Sequence, residues 1–214
     1  MGVIYSIEGI LQAKGQNSQA LTPKNYQLLQ PSADRIQRLV TCFLRFQYAP
    51  MLDSISIHTL FINASKVGRL EDDETSQVML LWKIFQVKSI CYSQELMGCL
   101  ILVSEDSWYN RLSLLFDVFR CSGNDKMYHD DIVMAAHVIA MGLHRIWLVS
   151  EWDQEIWSPL TEAIADGAFA KMEKELEDGL TKEEFIRWAT ERFKESRSVA
   201  SPEALKALYS TAFE

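Results

Sequence analysis

The sequence predicts an all-α protein, and three observations support this prediction. Glycine and proline are scarce, at 9 and 5 of 214 residues, so the turn signals of a β-rich protein are missing. Apolar residues recur at spacings of three and four, the period of an amphipathic helix. A pattern of helix, short turn and helix recurs about four times along the chain, which indicates a repeated helical unit.

In the first half, a polar segment precedes a strongly periodic one. Residues 1–30 are polar and weakly periodic, which predicts an N-terminal arm. Ser32 is a candidate N-cap for the first helix, which should end near residues 47–50. The other helices predicted here are His58–Ala64, after a short segment Ser54–Ile57, then Thr75–Val87 and Ser93–Val103.

The second half continues the same pattern. A break in the helical structure is expected at Pro159, because proline lacks an amide N–H. The helices predicted here are Ser107–Phe119, Asp130–Val149, Leu160–Met172 and Lys182–Lys194, followed by a tail helix Glu203–Phe213. The predicted organisation is an arm (1–30), an N-terminal lobe (31–105), a C-terminal lobe (106–195) and a hinge with the tail helix (196–214).

The formal net charge of −8 argues against binding nucleic acid through bulk charge, since phosphate contacts require clustered Lys and Arg. The excess acid is localised. Residues 151–195 hold 13 acidic and six basic side chains, which leaves the rest of the chain almost neutral.

Several function classes lack their signatures in this sequence. The four cysteines form no CxxC pair, which predicts reduced thiols and a cytoplasmic protein. The longest apolar run, Leu96–Val103, is far shorter than the roughly 20 residues that span a bilayer. No phosphate-binding glycine loop, zinc motif or activated nucleophile is present, so we predict no enzymatic activity.

The third repeat unit has the frame of an EF-hand, in which two helices flank a 12-residue loop with ligands at fixed positions. Phe116 and Phe119 match the aromatic pair that ends the first helix of such a unit, and Met127 falls at the apolar eighth position of the loop. Arg120 stands at the first ligand position, where a cation repels Ca²⁺. This loop should therefore keep the shape of an EF-hand without the metal.

The fourth unit contains the best candidate for a metal site, in the loop from Glu173 to Glu184. The side chains that would bind Ca²⁺ are Glu173, Glu175, Glu177, Thr181 and Glu184. Asp178 occupies the position at which the loop pattern has glycine, and Gly179 comes one residue later. The alternative interpretation is an acidic, solvated helix end. The first two units have too few carboxylates or too short a loop to bind calcium.

With these motifs, the chain resembles the four-EF-hand family of neuronal calcium sensors, calcineurin B and calaxin. The resemblance implies two lobes of paired EF-hands with mostly degenerate loops. Members of the family bind partner polypeptides in apolar grooves between helices. The candidate partner-binding residues are Trp147, Trp152, Trp157, Met141 and Met172. The alternative is that these side chains belong to the core, which is the more common role of methionine and aromatic residues at helical spacing.

The chain begins Met1-Gly2 with Ser6 following, which fits the N-myristoylation pattern at Gly2. Lipidation would tether the protein to a membrane, although a single myristoyl chain binds only marginally.

Three functions remain open from the sequence. The first is an EF-hand-like adaptor or regulatory subunit that binds a protein partner largely without calcium. The second is a structural component of a cytoskeletal assembly, such as an axonemal microtubule or dynein-docking complex of a cilium or flagellum. The third is a myristoylated calcium sensor at a membrane.

Overall fold

A computed structural model of the chain describes residues 31–46, 50–66, 68–121, 124–147 and 154–192, with side chains described except at 143–147 and 154–157. This part of the chain is mostly helical, which confirms the all-α prediction at the level of fold class. The predicted arm (1–30), the hinge and tail helix (196–214), Trp152 and Gly2 lie outside the described residues.

Eight helices and four two-residue strands are described. The helices are α1 Ala33–Phe46, α2 Ser54–Ser65, α3 Asp72–Phe85, α4 Ser93–Val103, α5 Trp108–Phe119, α6 His129–Trp147, α7 Gln154–Lys171 and α8 Lys182–Arg192. The strands are β1 Met51–Leu52, β2 Cys91–Tyr92, β3 Lys126–Met127 and β4 Leu180–Thr181.

Polar side chains fix where several helices begin, because the first amides of a helix have no intrahelical partner. The Ser32 hydroxyl accepts a hydrogen bond from the Arg35 N–H (3.4 Å), as predicted for the start of α1. The Asp53 carboxylate caps α2 by accepting from the Ser56 N–H (2.7 Å). Ser107 likewise caps α5.

Two antiparallel ladders join the helical units in pairs. In the first ladder Met51 pairs with Tyr92 and Leu52 with Cys91, so that β1 and β2 link the α1–α2 unit to the α3–α4 unit. In the second, Lys126 pairs with Thr181 and Met127 with Leu180, which links the α5–α6 unit to the α7–α8 unit.

Helix α4 lies at the centre of the packing, since all of its residues except Gln94 are buried. It contacts α5 and α6, and the buried apolar residues of both halves form one continuous core. Two glycines allow α4 and α6 to approach each other closely. A Cβ on Gly98 would lie 3.0 Å from Ile139, and one on Gly142 would overlap the Sγ of Cys99.

Polar contacts also join the halves. Asp106, just before α5, is 6% exposed and accepts a hydrogen bond from Gln37 on α1 (2.9 Å). Within the second half, the Lys182 ammonium binds the Asp117 carboxylate at 2.7 Å and ties α8 to α5. Among the described residues, the predicted boundary between residues 105 and 106 falls between α4 and α5, which share the core.

Two predictions about individual elements were wrong. Residues 54–65 form a single helix, because the Asp53 cap starts α2 four residues before the expected His58. Pro159 does not interrupt the helix but lies inside α7. A proline in this position removes one intrahelical hydrogen bond, and α7 retains its extensive packing against α6.

Candidate functional site

The loop between α7 and α8 contains the predicted metal ligands, and it begins with a tight reversal of the chain. Glu173 has a left-handed backbone (φ 55°), and the next amide, Lys174 N–H, donates to the carbonyl of Phe169 (3.0 Å). Such a residue ends a helix by turning the chain out of it. The candidate loop is therefore anchored to α7 by backbone hydrogen bonds.

Gly179 closes this loop in a conformation that suits glycine, with φ of 65°. A Cβ at this position would lie 3.0 Å from the Cβ of Lys126 on the neighbouring strand. The Lys126 ammonium donates to the carbonyl of Asp178 at 2.7 Å. This hydrogen bond holds the loop against β3, and the absence of a side chain at Gly179 allows the close approach.

Thr181 and Glu184 form a reciprocal cap at the start of α8. The Thr181 N–H donates to the Glu184 carboxylate (2.9 Å), and the Glu184 N–H donates to the Thr181 hydroxyl (3.3 Å). This is a capping box, which satisfies two helix-end amides at once. The two residues are thus structural in this conformation.

The Glu184 carboxylate also binds a cation of the chain itself, since the Lys174 ammonium lies 3.0 Å from its other oxygen. The hydrogen bond from the Thr181 N–H lowers the pKa of Glu184 below its usual value of 4.5, with Lys174 adding to this effect and partial burial opposing it. Glu184 is therefore held as a carboxylate by partners within the loop.

The five predicted metal ligands do not converge. Glu173, Glu175 and Glu177 are exposed, whereas Thr181 and Glu184 are engaged with each other. No group of three or more His, Cys, Asp or Glu in the described ranges could hold a metal ion. Calcium binding in this loop stays a prediction.

In the third loop, the positive charge that the sequence places at the first ligand position belongs to Arg120. The Arg120 guanidinium binds the Asp125 carboxylate at 2.9 Å. Asp131, at the end of the loop, accepts from the Tyr128 N–H (2.9 Å), so its carboxylate supports the start of α6.

The candidate partner-binding residues lie in α6, in α7 and just after α7, apart from Trp152, which is outside the described residues. Met141 on α6 is half-buried. Met172 follows α7, packs partly against the core, and its sulfur accepts from the Arg187 guanidinium (3.4 Å). Trp147 and Trp157 lie in α6 and α7, and their side chains are outside the described part.

A cavity of about 430 Å³ lies between α7 and α8. Its apolar wall includes Ile164 and Trp188, and the exposed Gly167 leaves it open, since no atom lies within 4 Å of a Cβ built there. An ion pair between Lys171 and Glu191 (3.6 Å) lies at its rim. We name this feature the α7–α8 groove. The sequence did not predict this groove, although Ala163 and Gly167, one turn apart on α7, were a signal.

Among the helices that the structure describes, none is long and apolar enough to cross a bilayer.

No protein-family model matches this chain, and no curated protein matches it significantly.

Proposed function

We propose that this protein is a non-enzymatic EF-hand-like adaptor that binds a partner polypeptide without requiring calcium. The paired architecture supports the EF-hand part of the proposal. Each ladder joins two helix–loop–helix units, and the second one brings Met127 opposite Leu180. Met127 is the eighth residue of the third loop, and Leu180 is the eighth residue of the fourth loop, counted from Glu173.

The observation that carries the calcium independence is the contact between Lys174 and Glu184, at 3.0 Å. An ammonium group there neutralises the carboxylate that would complete a metal site and repels an incoming cation. In the third loop the Arg120 guanidinium stands at the first ligand position and pairs with Asp125 at 2.9 Å, so a positive charge of the protein again repels an incoming cation. The loops are thereby held in shape by side chains of the protein.

The α7–α8 groove supports the adaptor part. Its volume of about 430 Å³ suits one or two apolar side chains of a partner helix, the usual anchors for helix-in-groove recognition. The ion pair of Lys171 with Glu191 at its rim offers one charge of each sign to a partner. Trp188, which lines the groove although it is only 6% exposed, belongs to a residue type that often dominates binding energy.

A groove-filling substitution tests the proposal. The tagged full-length chain is purified from its native cells once in EDTA and once in calcium, and the main associated protein is identified by mass spectrometry. We expect the same protein in both buffers and its loss from Gly167→Trp, which places a large side chain in the groove. Gly68→Trp is the matched control, because Gly68 is also exposed with open space around its Cβ.

Capture that needs calcium would contradict calcium independence. Equal capture by Gly167→Trp and wild type would remove the groove from the proposal, and a measurable catalytic activity of the purified chain would remove the non-enzymatic part.

A further inference from the structure

The first ladder has one buried and one exposed face, and its exposed face is apolar. Leu52 and Cys91 point into the core and are 1% and 0% exposed. Their strand neighbours Met51 and Tyr92 form a register pair and are 53% and 47% exposed. Because successive strand residues point to opposite faces, Met51 and Tyr92 lie side by side on the outer face.

A tight hairpin widens this face. Val87 and Ile90 exchange backbone hydrogen bonds of 2.7 and 3.0 Å across a turn formed by Lys88 and Ser89. Ile90 is two residues from Tyr92 and therefore shares its face, and Val87 lies directly opposite Ile90. Both are about 40% exposed, at 41% and 39%. We call Met51, Val87, Ile90 and Tyr92 together the outer ladder face.

The second ladder shows that the fold does not require an apolar outer face. There Met127 and Leu180 are the buried pair, and the outer pair is Lys126 with Thr181. Solvent-facing positions of antiparallel sheets are ordinarily polar in this way. Met51 and Tyr92 occupy the equivalent place in the first ladder, and with the adjoining Val87 and Ile90 they indicate an interaction surface.

We propose that the outer ladder face binds the same face of a second copy of this chain, forming a two-fold symmetric dimer. The charges at its two edges support this occupant. Lys88 lies in the turn at the hairpin edge, and Asp53 lies at the β1 edge with an extended backbone (φ −90°, ψ 177°) that continues the strand. A two-fold axis parallel to the strands places each Lys88 against the Asp53 of the other copy.

The Asp53 carboxylate is able to make this contact while it caps α2. Its Oδ1 accepts from the Ser56 N–H at 2.7 Å, and the residue is exposed. A face with a positive edge, an apolar centre and a negative edge is complementary to itself under this symmetry. Dimerisation through it does not require the α7–α8 groove, which lies in the other half of the chain.

Sedimentation equilibrium of the purified full-length chain tests the dimer. The small face predicts a weak complex, so the apparent mass should rise with concentration in the micromolar range. We expect Tyr92→Lys to weaken association at least tenfold. Tyr109→Lys is the matched control and should associate like wild type, because Tyr109 is also exposed, at 62%, and lies outside the outer ladder face.

Charge reversal tests the symmetry. Lys88→Glu and Asp53→Lys should each be monomeric, because each places like charges together twice in a homodimer. An equimolar mixture should form a 1:1 dimer, in which both contacts again join opposite charges. Asp53→Asn, which can still cap α2, controls for loss of the cap, and circular dichroism checks that each variant is folded.

A wild-type chain that stays monomeric at its highest soluble concentration overturns the proposal, even if the face binds another protein. Equal association of the Tyr92 and Tyr109 variants also overturns it. If the mixture of charge variants stays monomeric while both are folded, the two-fold arrangement is wrong.

Discussion

The ammonium nitrogen of Lys174 lies 3.0 Å from a carboxylate oxygen of Glu184, across the loop that joins α7 to α8. Thr181 donates its N–H to the other oxygen of the same carboxylate (2.9 Å). Within the acidic stretch that dominates the charge of this chain, the Lys174 side chain thus neutralises the Glu184 carboxylate. The carboxylates of Glu184 and Asp178 accept hydrogen bonds from loop amides, whereas Glu173, Glu175 and Glu177 are exposed to solvent.

Removing the Lys174 ammonium should increase calcium affinity. Lys174→Gln releases one oxygen of Glu184 and deletes a repulsive charge, an effect of about 1 kcal/mol for a partly exposed, solvent-screened pair, or roughly fivefold in affinity. Isothermal titration with calcium measures it. Lys171→Gln is the control, because it removes the same charge from a residue that pairs with Glu191 on the helix surface.

Equal calcium affinity in the two glutamine variants would show that Lys174 does not govern the loop. Two or more micromolar calcium sites in the wild-type protein would contradict calcium independence altogether.

The capping box at the start of α8 should be measurable as folding stability. Thr181→Ala removes the hydroxyl that accepts from the Glu184 N–H, and loss of an N-cap costs about 1 kcal/mol. Thr181→Ser keeps the hydroxyl and should retain most of the stability. Urea denaturation followed by circular dichroism compares the two, and equal losses would indicate that the methyl group, not the cap, matters.

The sequence predicted most helices because their caps and apolar spacing are local features. Ser32 is the predicted cap of α1, and its hydroxyl accepts the Arg35 N–H. The sequence places the start of a helix at Ser107, and the structure shows that this residue caps α5 by accepting the Asn110 N–H. The predicted start at His58 omits Asp53, whose carboxylate caps α2 and starts it at Ser54. Pro159 was read as a break because the local rule omits the packing of α7 on α6, which stabilises a helix despite one missing hydrogen bond.

The candidate site was less predictable for two reasons. Some of its contacts join residues that are distant in sequence, and others depend on where the side chains of the loop point. The predicted ligand set assumed that the three exposed glutamates point inward, and only the loop geometry shows that they do not. The ladders were missed because two-residue strands leave no periodic signal. The outer ladder face appears only when pairing places Met51 beside Tyr92.

The free energy of unfolding should fall in acid, because protonation of Asp106 removes a stabilising carboxylate. Burial acts to raise its pKa, but hydrogen bonds from Gln37, Asn110 and the Ser107 N–H outweigh burial and leave the pKa below its usual 3.8. A carboxyl whose pKa is lowered by folding stabilises the protein above its unfolded value, and this contribution is lost as pH falls below about 3.8.

Asp106→Asn tests this contribution. The variant should lose about 1 to 3 kcal/mol near neutral pH, because the charged acceptor is gone, and its stability should change less between about pH 5 and pH 3. Urea denaturation across that range measures both effects. Asp73→Asn, at an exposed position, is the control and should keep the wild-type pH dependence. Parallel pH profiles for wild type and Asp106→Asn would contradict the assignment.

Two helical glycines should respond to alanine in opposite directions. At Gly142 a Cβ would overlap the Sγ of Cys99 and lie 3.1 Å from Glu95, so Gly142→Ala should destabilise by about 1 to 3 kcal/mol through overpacking. At Gly167 the space is open, so Gly167→Ala should stabilise by up to about 1 kcal/mol through helix propensity. Adding Cys99→Ala to the Gly142 variant should recover part of its loss, because it removes the sulfur that the new methyl group meets. Urea denaturation of the two single variants, Cys99→Ala and the double variant gives the coupling energy. Strict additivity in that cycle would show that α4 and α6 do not meet at this pair of residues.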